Sequence, residues 1–183
     1  MVGAGVSYVK FPNGGIDSTQ LTFSLGIPFD VYYGRASDAG KAVYAGDLFG
    51  LGLRETEWLA TVGEYSPAGD ARTTAGAAMT STLTRVGFEY RRHLDAHHYF
   101  FVETAGAMGG QSDGFAELLA GAGYRVPLLS PRLHLGASLA AGGAGGGQVD
   151  TGGGLVAKAR VGLDYDVTPS LKLGLEGGRI ESA

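Results

Sequence analysis

The chain has 183 residues, which fits one domain, and it carries a formal net charge of −4. It has no cysteine, so disulfide scaffolds, thiolate metal sites and cysteine nucleophiles are excluded. Its acidic balance argues against a nucleic-acid partner, which needs a concentrated basic surface. Since no apolar run reaches about 18 residues, a membrane-spanning helix is excluded as well.

The N-terminal third gives one strong strand signal and several weaker ones. From Leu21 to Val31, apolar side chains occupy every second position, and smaller or polar residues occupy the positions between them. A helix would spread these apolar residues around its circumference, so the pattern predicts a strand. Weaker patterns predict strands at residues 2–11, 43–53 and 56–65, and a turn at residues 12–15.

Alternation is clearer in the second half of the chain, where it predicts three hairpins. In the last hairpin, Leu171, Leu173 and Leu175 oppose Lys172 and Glu176. The connections predicted within the hairpins are short, and those predicted elsewhere are longer and rich in glycine or polar residues. The short turns are expected at residues 94–96, 129–131 and 167–170, and the longer loops at residues 66–76, 109–114 and 141–154.

The distribution of charge decides between a barrel in water and a barrel in a membrane. A soluble barrel has an apolar interior and a charged exterior, whereas here the face opposite the repeated apolar face carries charges of both signs. We therefore predict an all-β, antiparallel up-and-down transmembrane β-barrel of about eight to ten strands, forming one domain over residues 1–183. The predicted lumen charge network comprises Arg85, Glu89, Arg91, Glu117, Arg125, Lys158, Arg160, Asp164, Lys172 and Glu176.

Aromatic residues cluster near the predicted short turns. An interfacial girdle is expected where a barrel wall meets lipid headgroups, because aromatic rings with a polar edge favour that depth. We predict that this girdle consists of Tyr90, Tyr99, Phe100, Tyr124 and Tyr165, and that Trp58 is an interfacial or lipid-facing anchor.

The segment Asp164-Tyr165-Asp166-Val167-Thr168-Pro169-Ser170-Leu171-Lys172-Leu173-Gly174 resembles the periplasmic hairpins of small bacterial outer-membrane barrels of the OmpA/OmpX-like and opacity-protein group. The resemblance extends over residues 82–180. It implies a location in the bacterial outer membrane, contact with lipopolysaccharide and insertion by the barrel-assembly machinery. The N-terminus has no secretory signal, so we expect the natural precursor to carry one.

The C-terminus departs from this resemblance. Barrels of that group usually end in a strand that closes with an aromatic residue, whereas this chain ends Gly178-Arg179-Ile180-Glu181-Ser182-Ala183. We expect that a final strand is missing, that another segment or chain supplies it, or that the barrel has the inverse orientation. An oligomer or an envelope protein partner is a further expectation.

Histidine residues suggest two alternative kinds of site, a metal site and a catalytic site. A metal site would use His93, His97 and His98 with Asp95 and Glu103, but the spacing matches no metal motif, and a polar turn at the membrane rim is favoured. A lipid A-modifying enzyme would use His134 and Ser138, which lie on one strand face about 13 Å apart, too far for a direct hydrogen bond. No catalytic residue, metal or cofactor is predicted.

The favoured function is a non-enzymatic outer-membrane barrel with a structural role or a role in presenting its loops. The alternatives are a narrow passive pore, the lipid A-modifying enzyme, and a soluble β-barrel that binds an apolar ligand. A small barrel has little free bore once its inward side chains are placed, which favours a closed interior over a pore.

Overall fold

The computed structural model describes residues 18–28, 56–67, 71–110, 114–168 and 171–182, which form eight strands. The strands predicted at residues 2–11 and 43–53 and the turn at 12–15 lie outside the described residues. Within the described part of the chain, no helix is long and apolar enough to cross a membrane. The strands are β1 (Ser18–Pro28), β2 (Thr56–Pro67), β3 (Leu83–His93), β4 (His98–Gly109), β5 (Ala116–Leu128), β6 (Ser130–Gly145), β7 (Leu155–Thr168) and β8 (Leu171–Ser182).

All eight strands are antiparallel to their neighbours and follow chain order around a closed barrel. The all-β barrel class predicted from alternation is therefore confirmed, and the strand number lies at the lower end of the expected range. β1 pairs with β8 from Gln20 to Gly26, so the described strands close the barrel without a further strand.

The strands are strongly tilted, as the register of the ladders shows. Partner residues followed once around the barrel from His93, with the β1–β2 register extended by one residue from the Thr19–Ser66 pair, lead back to β3 at Leu83, a stagger of ten residues. With ordinary strand spacing, this stagger corresponds to a tilt of about 40°. A strand of 11 residues, such as β3, then rises roughly 27 Å along the barrel axis.

The connections separate into two rims. The turn rim carries the β3–β4, β5–β6 and β7–β8 connections, the first of which spans residues 94–97. The opposite rim, here called the lid rim, carries the longer β2–β3, β4–β5 and β6–β7 connections. β1 begins and β8 ends at the lid rim, because Gln20 pairs with Gly178 near the lid-rim end of each strand.

Glycines at the end of β6 correct one loop prediction. Residues 142–147 were predicted as part of a flexible loop, but β6 continues to Gly145. A Cβ at Gly142 would lie 2.1 Å from the Leu118 carbonyl oxygen, so glycine lets the two strands approach here. The β6–β7 connection is therefore confined to residues 146–154, where Gly146 and Gly147 have positive φ.

Two connections cover the barrel mouth at the lid rim. Arg72 bridges Ala78 within the β2–β3 connection, and Thr73 bridges Val149 of the β6–β7 connection. We call residues 71–82 and 146–154 the lid. Apolar lid residues pack into the mouth against inward side chains of the strands, and this buried cluster includes Ala71, Met79, Leu83, Phe115, Val149, Val156 and Ile180.

Candidate functional site

The interior of the barrel is charged and its outer wall is apolar. Lys158 and Glu176 are 2% and 7% exposed, whereas Leu139 and Val161 are 69% and 58% exposed. All ten charged residues predicted for the lumen are buried in the structure. This arrangement is the reverse of a soluble barrel, in which apolar side chains fill the interior.

Arg160 of β7 is the centre of the network at mid-height. Its Nη1 contacts three carboxylates, with distances of 2.7 Å to Glu89, 2.9 Å to Glu103 and 3.0 Å to Glu176. Its Nε donates a hydrogen bond to Ser138 Oγ at 3.1 Å. One guanidinium therefore links carboxylates from β3, β4 and β8 across the lumen.

Arg91 of β3 forms a second centre, nearer the turn rim. Its Nε contacts Glu89 at 2.8 Å, and its two terminal nitrogens contact Asp164 at 3.2 Å and Glu176 at 3.0 Å. The guanidinium also lies 4.5 Å from the centre of the Tyr99 ring. Glu89 and Glu176 contact both Arg91 and Arg160, so the two centres form one network.

Near the lid, Glu117 joins two cations and a phenol. It contacts Arg85, and it also contacts Lys158 Nζ at 2.8 Å. The Tyr65 hydroxyl donates to Glu117 Oε2 at 2.8 Å. Lys158 also contacts Glu103, which connects this group to the mid-height network.

At the turn rim, the Glu57 carboxylate of β2 contacts three cations and one histidine. It contacts Lys172, Arg125 at 3.5 Å, Arg91 at 3.8 Å and the His93 Nε2 at 3.3 Å. Lys172 also lies 3.7 Å from Asp166. Ion pairs thus extend from the turn rim to the underside of the lid.

Charges of opposite sign are nearly balanced in the lumen. Among the described residues, the buried cations are Arg85, Arg91, Arg92, Arg125, Lys158, Arg160 and Lys172, and the buried carboxylates are Glu57, Glu89, Glu103, Glu117, Asp164, Asp166 and Glu176. Near balance is what burial requires, because an unpaired charge in a dry interior is strongly unfavourable. The sequence prediction of the network did not include Glu57, Glu103, Asp166 or Tyr65, although their positions alternate with outward residues.

The network leaves little open space around Arg160. A cavity of about 10 Å³ lies beside Ser138, Arg160, Asp164 and Glu176. That volume has room for about one water molecule. Gly123 and Gly162 make space for large groups, since a Cβ would lie 2.2 Å from the Tyr99 ring and 2.7 Å from Glu176 Cγ, respectively.

Tyr99 corrects the predicted aromatic girdle. Phe100, Tyr124 and Tyr165 are exposed on the outer wall and Tyr90 is half-buried, but Tyr99 is only 4% exposed. Tyr99 pairs with His93 across the β3–β4 hairpin, and both side chains lie inside the barrel. Trp58, by contrast, is exposed and contacts Tyr90 edge-on, with ring centres 5.2 Å apart.

The residues considered for a metal site do not come together. His93 faces Glu57, and Glu103 lies at mid-height with Lys158 and Arg160. Only His97 and His98 remain beside Asp95 in the β3–β4 turn. Within the ranges that the structure describes, no group of three or more His, Asp or Glu residues could hold a metal ion.

The β3–β4 turn is organised around the Asp95 carboxylate. The backbone N–H groups of His98 and His97 each donate to Asp95 Oδ1 at 2.7 Å, and His98 Nδ1 lies 2.8 Å from Oδ2. These hydrogen bonds, the His98 backbone bond first among them, hold the pKa of Asp95 well below its ordinary value.

A depressed pKa makes the turn sensitive to acid. The stabilising effect of Asp95 is present above its unfolded pKa of about 3.9 and is lost as the pH falls through the lower folded pKa. We expect NMR titration of the Asp95 carboxylate to give a midpoint well below that of a model peptide. We also expect Asp95→Asn to reduce the acid dependence of stability below about pH 4. An Asp95 titration at the ordinary value would contradict this prediction.

The two residues considered for catalysis lie in different surroundings. His134 Nδ1 is 3.9 Å from Asp166 near the turn rim, whereas Ser138 accepts its hydrogen bond from Arg160 in the central network. The Ser138 hydroxyl is thus held by a guanidinium, which cannot act as a general base. Arg160 therefore does not activate Ser138 as a nucleophile.

Comparison with known proteins gives no family assignment. No family model matches the chain. No curated protein shows significant similarity to it. No solved structure shows significant similarity either.

Proposed function

We propose that the protein is a non-enzymatic barrel of a bacterial outer membrane, with a lumen closed by ion pairs and a lid whose surface is available to a partner. The observation that carries this proposal is the reversed polarity of the barrel. A wall of exposed apolar side chains around a charged interior is unfavourable in water and favourable in a bilayer.

The dimensions of the outer wall fit a bilayer. Exposed apolar residues include Phe23 and Leu25 on β1, Phe88 on β3, and Leu139 and Val161 on β6 and β7. The estimated rise of a strand is close to the apolar band of about 25 Å that outer-membrane barrels present. Trp58, Tyr90, Phe100, Tyr124 and Tyr165 lie toward the turn-rim ends of their strands, where an interfacial girdle is expected.

The lumen favours a structural role over conduction. An ion entering it would meet the apolar lid cluster at the mouth, the Arg160 contacts at mid-height and the Arg91 contacts nearer the turn rim. The lid places Thr74, Ala77 and Gln148 on the exposed surface. We propose that this surface, rather than the lumen, is the part available to an outside partner.

Folding into lipid tests the proposal directly. We expect the protein to stay in the membrane fraction without detergent and to be extracted with it. After extraction, its gel mobility in SDS should shift on boiling, because a closed barrel resists SDS until it is heated. Planar bilayers containing the folded protein should show no stable conductance steps.

Each alternative gives a different result. Monodisperse folded protein in buffer without detergent would contradict the membrane proposal and favour a soluble barrel. Stable conductance would contradict the closed lumen and favour a passive pore. Modification of lipid A that is abolished by His134→Ala or Ser138→Ala would contradict the non-enzymatic role.

A further inference from the structure

Two glycines lie opposite each other on the inner wall of the barrel. Gly136 of β6 pairs with Gly162 of β7. Gly162 faces the lumen, because it lies between Arg160 and Asp164 at every second position of the strand, and both of these side chains are buried inside. Neither glycine has a side chain to fill the interior. The pair therefore leaves a gap between two charged positions of β7.

The cavity of about 10 Å³ beside Arg160 lies at this gap. Both glycines line it, together with Arg160, Asp164 and Glu176. These three charged residues are 4%, 6% and 7% exposed, respectively, so the cavity is surrounded by groups that are shielded from bulk solvent. Its volume lies at the lower limit for holding one water molecule.

Two buried polar atoms of the lining lack a partner within the described part of the chain. Arg160 uses Nη1 for three carboxylates and Nε for Ser138, but its Nη2 makes no hydrogen bond to any described residue. Asp164 accepts a hydrogen bond from Arg91 at Oδ2, and its Oδ1 is likewise without a partner in the described ranges. One atom is a donor and the other an acceptor. Buried groups of this kind are unfavourable unless something completes their hydrogen bonds.

We propose that the cavity is a binding site for one water molecule, which accepts a hydrogen bond from Arg160 Nη2 and donates one to Asp164 Oδ1. The Tyr99 hydroxyl supplies a third partner, since it would lie 4.0 Å from a Cβ at Gly136. Internal waters typically make about three hydrogen bonds to groups that are otherwise unpaired. Because Asp164 also binds Arg91, the water links the two arginine centres of the network. The site depends only on the lumen, so it holds whether or not the outer wall faces lipid.

A monoatomic ion fits the cavity less well than water does. A chloride ion would be attracted to Arg160, but it would also face the carboxylates of Asp164 and Glu176 in the same lining. A sodium ion would face the guanidinium, which has no lone pair with which to coordinate it. Water is neutral and can accept from one group while it donates to the other.

Crystal structures of the detergent-extracted barrel test the site. Gly136→Ala places a methyl group in the cavity, where the nearest atom, the Tyr124 carbonyl oxygen, would be 3.6 Å away. Gly143→Ala is the matched control, because Gly143 is an outward-facing residue of the same strand and its Cβ would lie 3.9 Å from the nearest atom. We expect the wild type and Gly143→Ala to show one density peak roughly 2.7–3.2 Å from both Arg160 Nη2 and Asp164 Oδ1, and Gly136→Ala to show none. Soaking in bromide or rubidium should give no anomalous signal there.

Urea unfolding gives the second measurement. Gly143→Ala should raise the unfolding midpoint, because alanine loses less conformational freedom on folding than glycine does. Gly136→Ala should lower the midpoint by roughly 0.5 M or more despite the same gain, because the methyl group displaces the water and leaves both polar atoms unpaired. Gly136→Ser carries its own hydroxyl into the cavity and should recover most of this loss.

Four results would overturn the water site. They are a wild-type cavity without density, an anomalous signal from either soaked ion, a Gly136→Ala barrel as stable as Gly143→Ala, and a Gly136→Ser barrel no more stable than Gly136→Ala. The last result would show that crowding, rather than loss of the water, lowers the stability. If Gly136→Ala does not fold, the wild-type density and the midpoint of Gly136→Ser decide the question.

Discussion

Replacing Arg160 with methionine is expected to destabilise the barrel by about 3–5 kcal/mol, the usual effect of removing one partner from a buried ion pair. Methionine keeps much of the apolar stem but removes the guanidinium from Glu89, Glu103 and Glu176. Three buried carboxylates then lose a shared cation. Urea unfolding of the barrel in vesicles would measure the loss, with fluorescence of the single tryptophan as the signal.

The adjacent residue provides the control. Val161 is on the outer face of the same strand, and Val161→Ala is expected to cost less than about 1.5 kcal/mol, because no buried charge loses a partner. Adding Glu103→Gln to Arg160→Met should recover part of the lost stability by removing one uncompensated charge. An Arg160→Met barrel as stable as the wild type would show that these contacts contribute nothing to the free energy of unfolding.

The second large effect is expected from a charged residue placed at the middle of the outer wall. Val161→Arg exposes a guanidinium to the hydrocarbon if the outer wall lies in a bilayer, and we expect a loss of about 2–4 kcal/mol. Leu155→Arg is the matched substitution, since Leu155 is an exposed residue of β7 at the lid rim. There the expected cost is only about 0–1 kcal/mol, because the arginine reaches the interface.

The difference between these two variants distinguishes a membrane from water. In a soluble barrel, both arginines would be solvated on the surface, and each would change stability by less than about 0.5 kcal/mol. Equal and small effects at the two positions, measured by the same unfolding experiment in vesicles, would therefore contradict a lipid-facing wall.

Strict alternation made the second half of the fold predictable. In β7 apolar residues occupy every second position from Leu155 to Val167, and from Lys158 to Asp166 the positions between them carry charged residues or glycine, so both the strand and its inward face follow from the sequence. β4 begins His-Tyr-Phe-Phe-Val, where four consecutive large residues hide the period. The sequence therefore did not show which face of the strand Tyr99 occupies. In the structure, Tyr99 pairs with His93 in the β3–β4 ladder, and both side chains lie inside the barrel.

The local alternation of apolar and polar residues could not predict which side chains contact each other across the lumen. Arg160 and Glu89 are 71 residues apart in the chain. They meet because the ten-residue stagger brings positions of β7 and β3 to the same height. Alternation predicts which side chains point inward, but the stagger that selects their partners is a property of the closed barrel. Glu57 and Tyr65 were missed because the weaker pattern of residues 56–65 predicted a strand without deciding which of its faces points inward.

The pairing of the first described strand with the last has a consequence for the order of assembly. Over residues 20–26, β1 pairs with β8, which is about 150 residues away in the chain. Hairpins between sequence neighbours form early because their loops close at little entropic cost, whereas contacts over long separations form late. We therefore expect the β2–β8 strands to assemble first as a curved meander, and the β1–β8 seam to close last. Pulse-labelled hydrogen exchange during refolding should then show the amides of this seam protected in the slowest phase.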